Sequence, residues 1–238
     1  MSIVSRRHDP RANRLLAAMP APALERIMPC LEAIRTDQGE VLIRADEPVE
    51  RVYFPTSGLF SLVVRSSEGD AVEAAVAGRE GMLGTSVVLG MPTSTFEELC
   101  QIENGVLALP ASVLREALDA EPAFLMLLMR YVGTLLHATA RNAACNRLHV
   151  TEQRLARWLL QVRDRVESDT FFLTQEFLGR MLSVRRPTVT EAVAALEERG
   201  LLRHQRGRIR LLDEAGLQAA ACEDYARIRD TYALLLGD

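Results

Sequence analysis

The apolar positions of the first segment, RANRLLAAMPAPALERIMPCLEAI (residues 11–34), recur three and four apart. Leu15, Leu16, Leu24, Ile27, Met28, Leu31 and Ile34 carry that period, and Pro20 and Pro22 interrupt it, which predicts two short helices. From Gly39 the texture changes to short apolar runs at 41–43, 52–54, 59–64 and 72–76, separated by turn signals at 46–48, 57–58, 68–70 and 78–81. The pattern resumes at 98–102 and 105–109. Closely spaced runs of this kind predict an antiparallel β roll or sandwich.

After Pro110 the helical period returns. PASVLREALDAEP predicts a short helix closed by Pro122, and Pro122 opens a run of about 26 residues without proline, long for a globular helix. On it Leu125, Leu128, Met129, Val132, Leu135, Leu136, Thr139 and Ala143 share one side, while Met126, Leu127 and Tyr131 lie on the other. A helix apolar nearly all round buries more than one face. One face is expected to cover the roll, and Leu125, Leu128, Met129, Val132, Leu135 and Leu136 are expected to meet a second copy. A core helix of a monomer is the bland alternative, disfavoured because a domain of this size offers little other core. Residues 150–166 predict another amphipathic helix, with Leu155, Trp158, Leu159 and Val162 on one side. The tail, residues 213–238, places Leu217, Ala221, Tyr225, Ile228, Tyr232 and Leu235 at helical spacing and is expected to pack back on the preceding domains.

The strongest local signal is LTQEFLGRMLSVRRPTVTEAVAALEERGLLRHQRGRIRLL, residues 173–212. Thr174 suits an N-cap, Leu178 and Leu182 point inward, and Gly179 falls where two crossing helices come close. A turn around Ser183 leads to Pro187 in the first turn of a second helix, whose buried stripe is Val189, Ala192, Val193 and Leu196. This is the spacing of a helix-turn-helix. The other face gathers Arg185, Arg186, Thr188, Thr190 and Glu191 at the end that enters the major groove in such motifs. Arg can bridge guanine O6 and N7, Thr can touch phosphate or a thymine methyl, and Glu can accept from cytosine N4. Two short alternating runs around Gly207 predict a hairpin wing, with Arg203, Arg206, Arg208 and Arg210 on or near its tip, suited to phosphate. Thr174 joins this set of expected DNA-binding residues.

Charge sharpens that reading. The chain of 238 residues has a net charge of -4, but residues 151–212 hold 12 basic and 8 acidic side chains between two acidic segments. All 28 basic residues are arginine, a composition bias. Cys30, Cys100, Cys145 and Cys222 are far apart and form no C-x-x-C pair, so reduced, partly buried thiols are expected, with no metal motif. No apolar stretch of signal-peptide length opens the chain, and the most apolar helical stretch, 124–136, is cut by Arg130 and short for a bilayer. A soluble, cytoplasmic protein with no membrane partner is expected.

A β roll, a long helix and a terminal winged helix-turn-helix in that order resemble the CRP/FNR family of bacterial transcription regulators over nearly the whole chain. VYFPTSGLFSLVV, the glycines of GREGMLG, ACNRLHVTEQRLARWLL and LTQEFLGRMLSVRRPTVT carry the resemblance. It implies an α+β fold, with a β-roll effector domain (11–110), linking and dimerisation helices (111–148), a winged helix-turn-helix (149–212) and a C-terminal helix (213–238). It also implies a homodimer on a near-palindromic operator of double-stranded DNA, acting on RNA polymerase. By position Arg186 matches the family's guanine-reading arginine and Thr188 a backbone-contacting threonine. Pro187 and Glu191 depart from the cyclic-AMP receptor, which has a glutamate and a second arginine there, so a different operator is expected.

The effector site departs further. The family's nucleotide pocket uses a Gly-Glu-Leu turn and an Arg-Ser pair. Here Gly84, Thr85 and Ser86 stand in the first element, Ser94, Thr95 and Phe96 lie near the second, and no arginine occurs between Arg79 and Arg115. A cyclic phosphate would lack its counter-charge, which disfavours cyclic AMP. Arg130, on the long helix, is the nearest substitute. An iron-sulfur cluster needs an N-terminal cysteine group that is missing, and haem ligation by His137 or His149 ranks below a structural role. The effector stays unassigned. Two other function classes compete with this one. A cupin-like enzyme needs histidines inside the roll, yet none lies between 39 and 110. A cyclic-nucleotide module acting through protein partners is opposed by the basic winged motif.

Overall fold

The structure is a computed structural model and describes residues 9–67 and 71–237; the turn expected at 68–70 falls outside them. The first elements are α1 (Arg14–Ala17) and α2 (Ala21–Ile27). Pro22 lies in the first turn of α2 and opens that helix rather than breaking it. Helical spacing ran on to Ile34, but the chain does not. Pro29, within a 3-10 turn at Met28–Cys30, stops the helix, and β1 (Glu32–Thr36) follows as a strand paired antiparallel with β7 (Asn104–Pro110). Buried Asn13 accepts from the Leu16 N–H at 2.9 Å and donates to the carbonyls of Pro55 and Gly81, fastening this start to the roll.

The remaining roll strands are β2 (Val41–Ile43), β3 (Arg51–Pro55), β4 (Leu59–Arg65), β5 (Ala71–Ala77) and β6 (Glu97–Ile102), each covering a predicted run. They form two antiparallel sheets, β2-β6-β4-β5 and β1-β7-β3. Phe54, Phe60, Leu62, Met82 and Leu83 are fully buried in their common core. A one-turn helix, α3 (Thr85–Val88), lies between β5 and β6.

α4 (Ala111–Ala120) leads to the 27-residue α5 (Pro122–Leu148). Phe124, Leu128, Tyr131, Leu135 and Ala138 face the roll and join its core. Leu128 and Leu135, expected at the contact with a second copy, are therefore buried in the chain's own interior, at 0% and 5% exposure. The opposite side carries the exposed residues Met126, Met129, Gly133, Leu136, Ala140 and Ala143, alternately three and four apart. Of the other expected contact residues, Leu125 is exposed and Val132 half-buried. The whole of α5 is long and apolar enough to cross a bilayer, with a mean hydropathy of 1.4 in its best window, more than the reading of 124–136 allowed. Its inward face is nevertheless taken by the roll.

α6 (Thr151–Val166) is buried on nearly every side. Leu155, Trp158, Leu159 and Val162 pack with α7 (Gln175–Leu182) and α8 (Arg186–Glu198), while roll residues Leu59 and Val76 complete the same cluster. A three-stranded sheet, β8-β10-β9, follows from β8 (Thr170–Phe172), β9 (Leu202–Gln205) and β10 (Arg208–Leu211). The tail is two helices, not one. α9 (Glu214–Ala220) sends Leu217 into the α6–α8 cluster, and α10 (Asp224–Leu236) sends Ile228 and Tyr232 into the roll core.

Candidate functional site

The basic edge is built on α7, α8 and the β9–β10 hairpin. Thr174 caps α7 by accepting from the Phe177 N–H at 3.2 Å, a bond that keeps its hydroxyl at the helix start. Gly179 is buried, and a Cβ there would come within 3.0 Å of the Val184 carbonyl, so the close approach needed is to the turn itself. Ser183, at φ 51°, closes α7, and Pro187 stands in the first turn of α8. Val189, Ala192, Val193 and Leu196 are buried, which leaves Arg185, Arg186, Thr190 and Glu191 exposed and Thr188 half-buried. Thr190 Oγ1 donates to the Arg186 carbonyl and lies 3.1 Å from Gln175 Oε1, tying the two helices at the exposed edge. Arg203, Arg206, Arg208 and Arg210 are all exposed on the hairpin, whose tip is Arg206 and Gly207. β8, which sequence reasoning missed, braces the hairpin by pairing Phe171 with Ile209.

In the roll, Gly84 adopts φ 82° and leads into α3, a backbone that side chains rarely tolerate. Thr85 and Ser86 are buried, Ser94 is buried and Thr95 is exposed. The residue that decides the chemistry of this turn is Glu98 on β6, which the sequence did not single out. Its carboxylate accepts from the Gly84 N–H at 3.0 Å and from Ser94 Oγ at 3.3 Å. Glu98 is 1% exposed, and burial pushes its carboxyl up to about 7. Arg130, the expected substitute for a phosphate-binding arginine, is exposed on α5.

Two family descriptions match this chain: a cyclic nucleotide-binding domain over residues 34–121 and a Crp-like helix-turn-helix domain over residues 153–220. Together with the roll, the long helix and the winged unit they decide the matter. The chain belongs to the CRP/FNR family of bacterial transcription regulators. It is 26% identical over 216 residues to the transcriptional regulatory protein btr of Bordetella pertussis, covering 84% of this chain and 86% of that one. A CRP-like cAMP-activated global transcriptional regulator of Mycobacterium tuberculosis is 24% identical over 180 residues, covering 73% and 80%. Among solved structures, FixK2 from Bradyrhizobium japonicum superposes with a TM-score of 0.68 at 18% identity, covering 81% of this chain and 98% of that one. The protein is thus a CRP/FNR-type DNA-binding regulator, of a family of transcription regulators rather than enzymes.

Within this CRP/FNR chain the winged unit is docked on its own roll. Trp158 Nε1 donates to Glu73 Oε1 at 2.8 Å, and Glu73 also accepts from Ser61 and from Gln101. Burial holds the Glu73 carboxyl up at about 7. Arg165 pairs with Glu80 at 2.8 Å, both 7% exposed, and lies over the Tyr232 ring at 5.4 Å. Arg157 donates to Asn142 and Arg154 to the Leu182 carbonyl. Arg185 and Arg186 line a cleft of about 950 Å³ whose other wall includes Val63, Arg65 and Val72 of the roll. Beyond the expected sites, a cavity of about 250 Å³ is lined by Arg14, Arg79, Arg165 and Arg229 with Glu80 and Asp164. Cysteine spacing gave no metal motif, yet the fold brings donor atoms of Cys145, His149, Cys222 and Asp224 within 4.8 Å of one another. Their separation of up to 79 positions in sequence hid them.

Proposed function

We propose that this regulator binds a near-palindromic operator as a homodimer joined along α5, with one α8 in the major groove of each half-site. The observation that supports the reading is the exposure of Arg185, Arg186, Thr190 and Glu191 on α8 together with that of the wing arginines Arg203, Arg206 and Arg208. Arg186 reads a guanine, Thr174 and Thr188 hold the backbone, and the wing neutralises phosphates. The exposed stripe of α5 supports the dimer, since its three- and four-residue steps match a coiled-coil seam and Gly133, Ala140 and Ala143 allow close approach. Residues 11–110 serve as the sensing unit, 111–148 as the link and dimer element, and 149–212 as the DNA reader. The protein works in the cytoplasm, with RNA polymerase as its partner, and has no catalytic role.

The effector is not cyclic AMP bound in the family's manner. The mycobacterial relative is cAMP-activated by its description. In this chain Glu98 already occupies the Gly84 N–H, and a phosphate brought there meets a buried carboxylate instead of an arginine.

A mobility-shift series at several salt concentrations, on a selected operator and a scrambled one, tests the reading. Arg186→Ala should cost about 1 to 3 kcal/mol per half-site and relax preference at one base pair in each half. Arg206→Ala or Arg208→Ala should weaken both DNAs alike and lower the salt slope by about one per lost contact. Equal weakening of both DNAs by Arg186→Ala, with altered preference from a wing substitution, would reverse the two surfaces.

A further inference from the structure

Four side chains converge where α5 ends and the tail folds back. Cys145 lies in the last turn of α5 and His149 follows four residues later at its C-cap, a spacing that stacks both on one side of the helix. Cys222 lies in the connection between α9 and α10 and Asp224, two residues on, opens α10. The Sγ atoms of Cys145 and Cys222 are 3.3 Å apart, His149 Nε2 is 3.6 Å from Asp224 Oδ2, and Cys222 Sγ is 4.0 Å from the same oxygen. Sulfur ligands about 2.3 Å and nitrogen or oxygen ligands about 2.0 Å from a tetrahedral zinc ion are separated by roughly 3.3 to 3.8 Å. These three separations lie within about half an ångström of the corresponding values, and all four donor atoms lie within 4.8 Å of one another.

Asp224 supplies an independent sign. It is 2% exposed, and its carboxylate contacts with Arg141, His149 and Cys222 all lie at 3.5 Å or beyond. These long contacts, the Arg141 ion pair among them, leave room for the buried carboxylate to close on a cation at the centre of the four groups. A cysteine pair destined only for a disulfide needs neither the histidine nor the buried acid.

We propose that Cys145, His149, Cys222 and Asp224 form a closed four-coordinate site for a borderline-soft divalent cation, zinc being the fitting ion. Two thiolates and one carboxylate bring a charge of -3, the ion +2, and Arg141, 3.5 Å from Asp224, answers the remainder. Binding releases the two thiol protons to solvent. The ion would staple the end of the long helix to the C-terminal helices, beside the point where the chain enters α6.

The full-length protein, purified under reducing conditions without chelator, should contain about one zinc per chain by elemental analysis. Chelator should lower its melting temperature and added zinc restore it. Replacement by cobalt(II) should give visible d–d bands of a tetrahedral site and near-ultraviolet thiolate charge transfer. Cys222→Ser and Asp224→Asn should lose the metal, whereas Glu223→Gln, altering an exposed carboxylate also 3.6 Å from His149, should keep it. Should the variants not fold, the cobalt titration of the unaltered chain still decides. Absence of both zinc and the cobalt spectrum in reduced protein overturns the site, as does unchanged metal content in Cys222→Ser. A two-proton mass loss without bound metal would assign the cysteines to a disulfide and overturn it too.

Discussion

Glu73 and Glu98 are both buried carboxylates whose hydrogen-bond partners are neutral: Ser61, Gln101 and Trp158 for one, the Gly84 N–H and Ser94 for the other. Burial lifts each from its ordinary value of 4.5 to about 7, so the folded chain holds these protons more tightly than the unfolded chain does. Their contribution to stability is therefore full below about pH 4.5, declines as pH rises to about 7, and is flat above, with up to about 3 kcal/mol at stake per group. Thermal melts between about pH 5 and 7.5 should show Glu98→Gln and Glu73→Gln each losing less stability across this window than the unaltered chain. Equal slopes would count against the assignment. The sequence places Gly84, Thr85 and Ser86 only through the resemblance to the family's nucleotide pocket, where they stand in its first element. It could not show Glu98 as their partner, since that meaning arises only when β6 is laid beside α3.

The long helix illustrates what periodicity can and cannot tell at the level of elements. Its extent and doubly apolar character were legible, because both follow from spacing alone. Which face meets the roll was not, for Leu128 and Leu136 fit the same coarse pattern yet are 0% and 68% exposed. Two substitutions separate the roles. Leu136→Glu should leave the fold intact and give monomers by light scattering, because it places a charge on the outward stripe. Leu128→Ala should preserve the dimer contact residues but lower unfolding free energy by about 2 to 5 kcal/mol in denaturant. A dimer that survives Leu136→Glu unaltered would remove α5 as the seam. Strand β1 was misread because Leu31 and Ile34 happen to continue a helical count, while Pro29 and pairing with β7 overrule it. The amphipathic spacing of 150–166 gives no sign of where the arginines of α6 lie. Arg154, Arg157 and Arg165 are in fact buried, each donating to a distant part of the chain: a carbonyl, an amide and a carboxylate.

At the scale of the molecule, α6 sits in a core that also takes in Leu59 and Val76 of the roll, and the pair Arg165–Glu80 spans the same joint. Glu80→Gln leaves the Arg165 guanidinium buried without its counter-charge, a change expected to cost about 3 to 5 kcal/mol. The unaltered protein should melt in one cooperative transition by calorimetry, and Glu80→Gln should lower or split it as the winged unit loosens from the roll. Two well-separated transitions in the unaltered chain would show that the docking carries little energy. Trp158 gives this arrangement an optical consequence. It is the chain's single tryptophan, 1% exposed and hydrogen-bonded across the joint to Glu73. Its fluorescence therefore reports one event, the opening of the contact between sensor and DNA reader, with no label required. Whatever operator or effector is added, a red-shifted emission marks departure from the docked arrangement, and an unmoved one shows that binding left the joint closed.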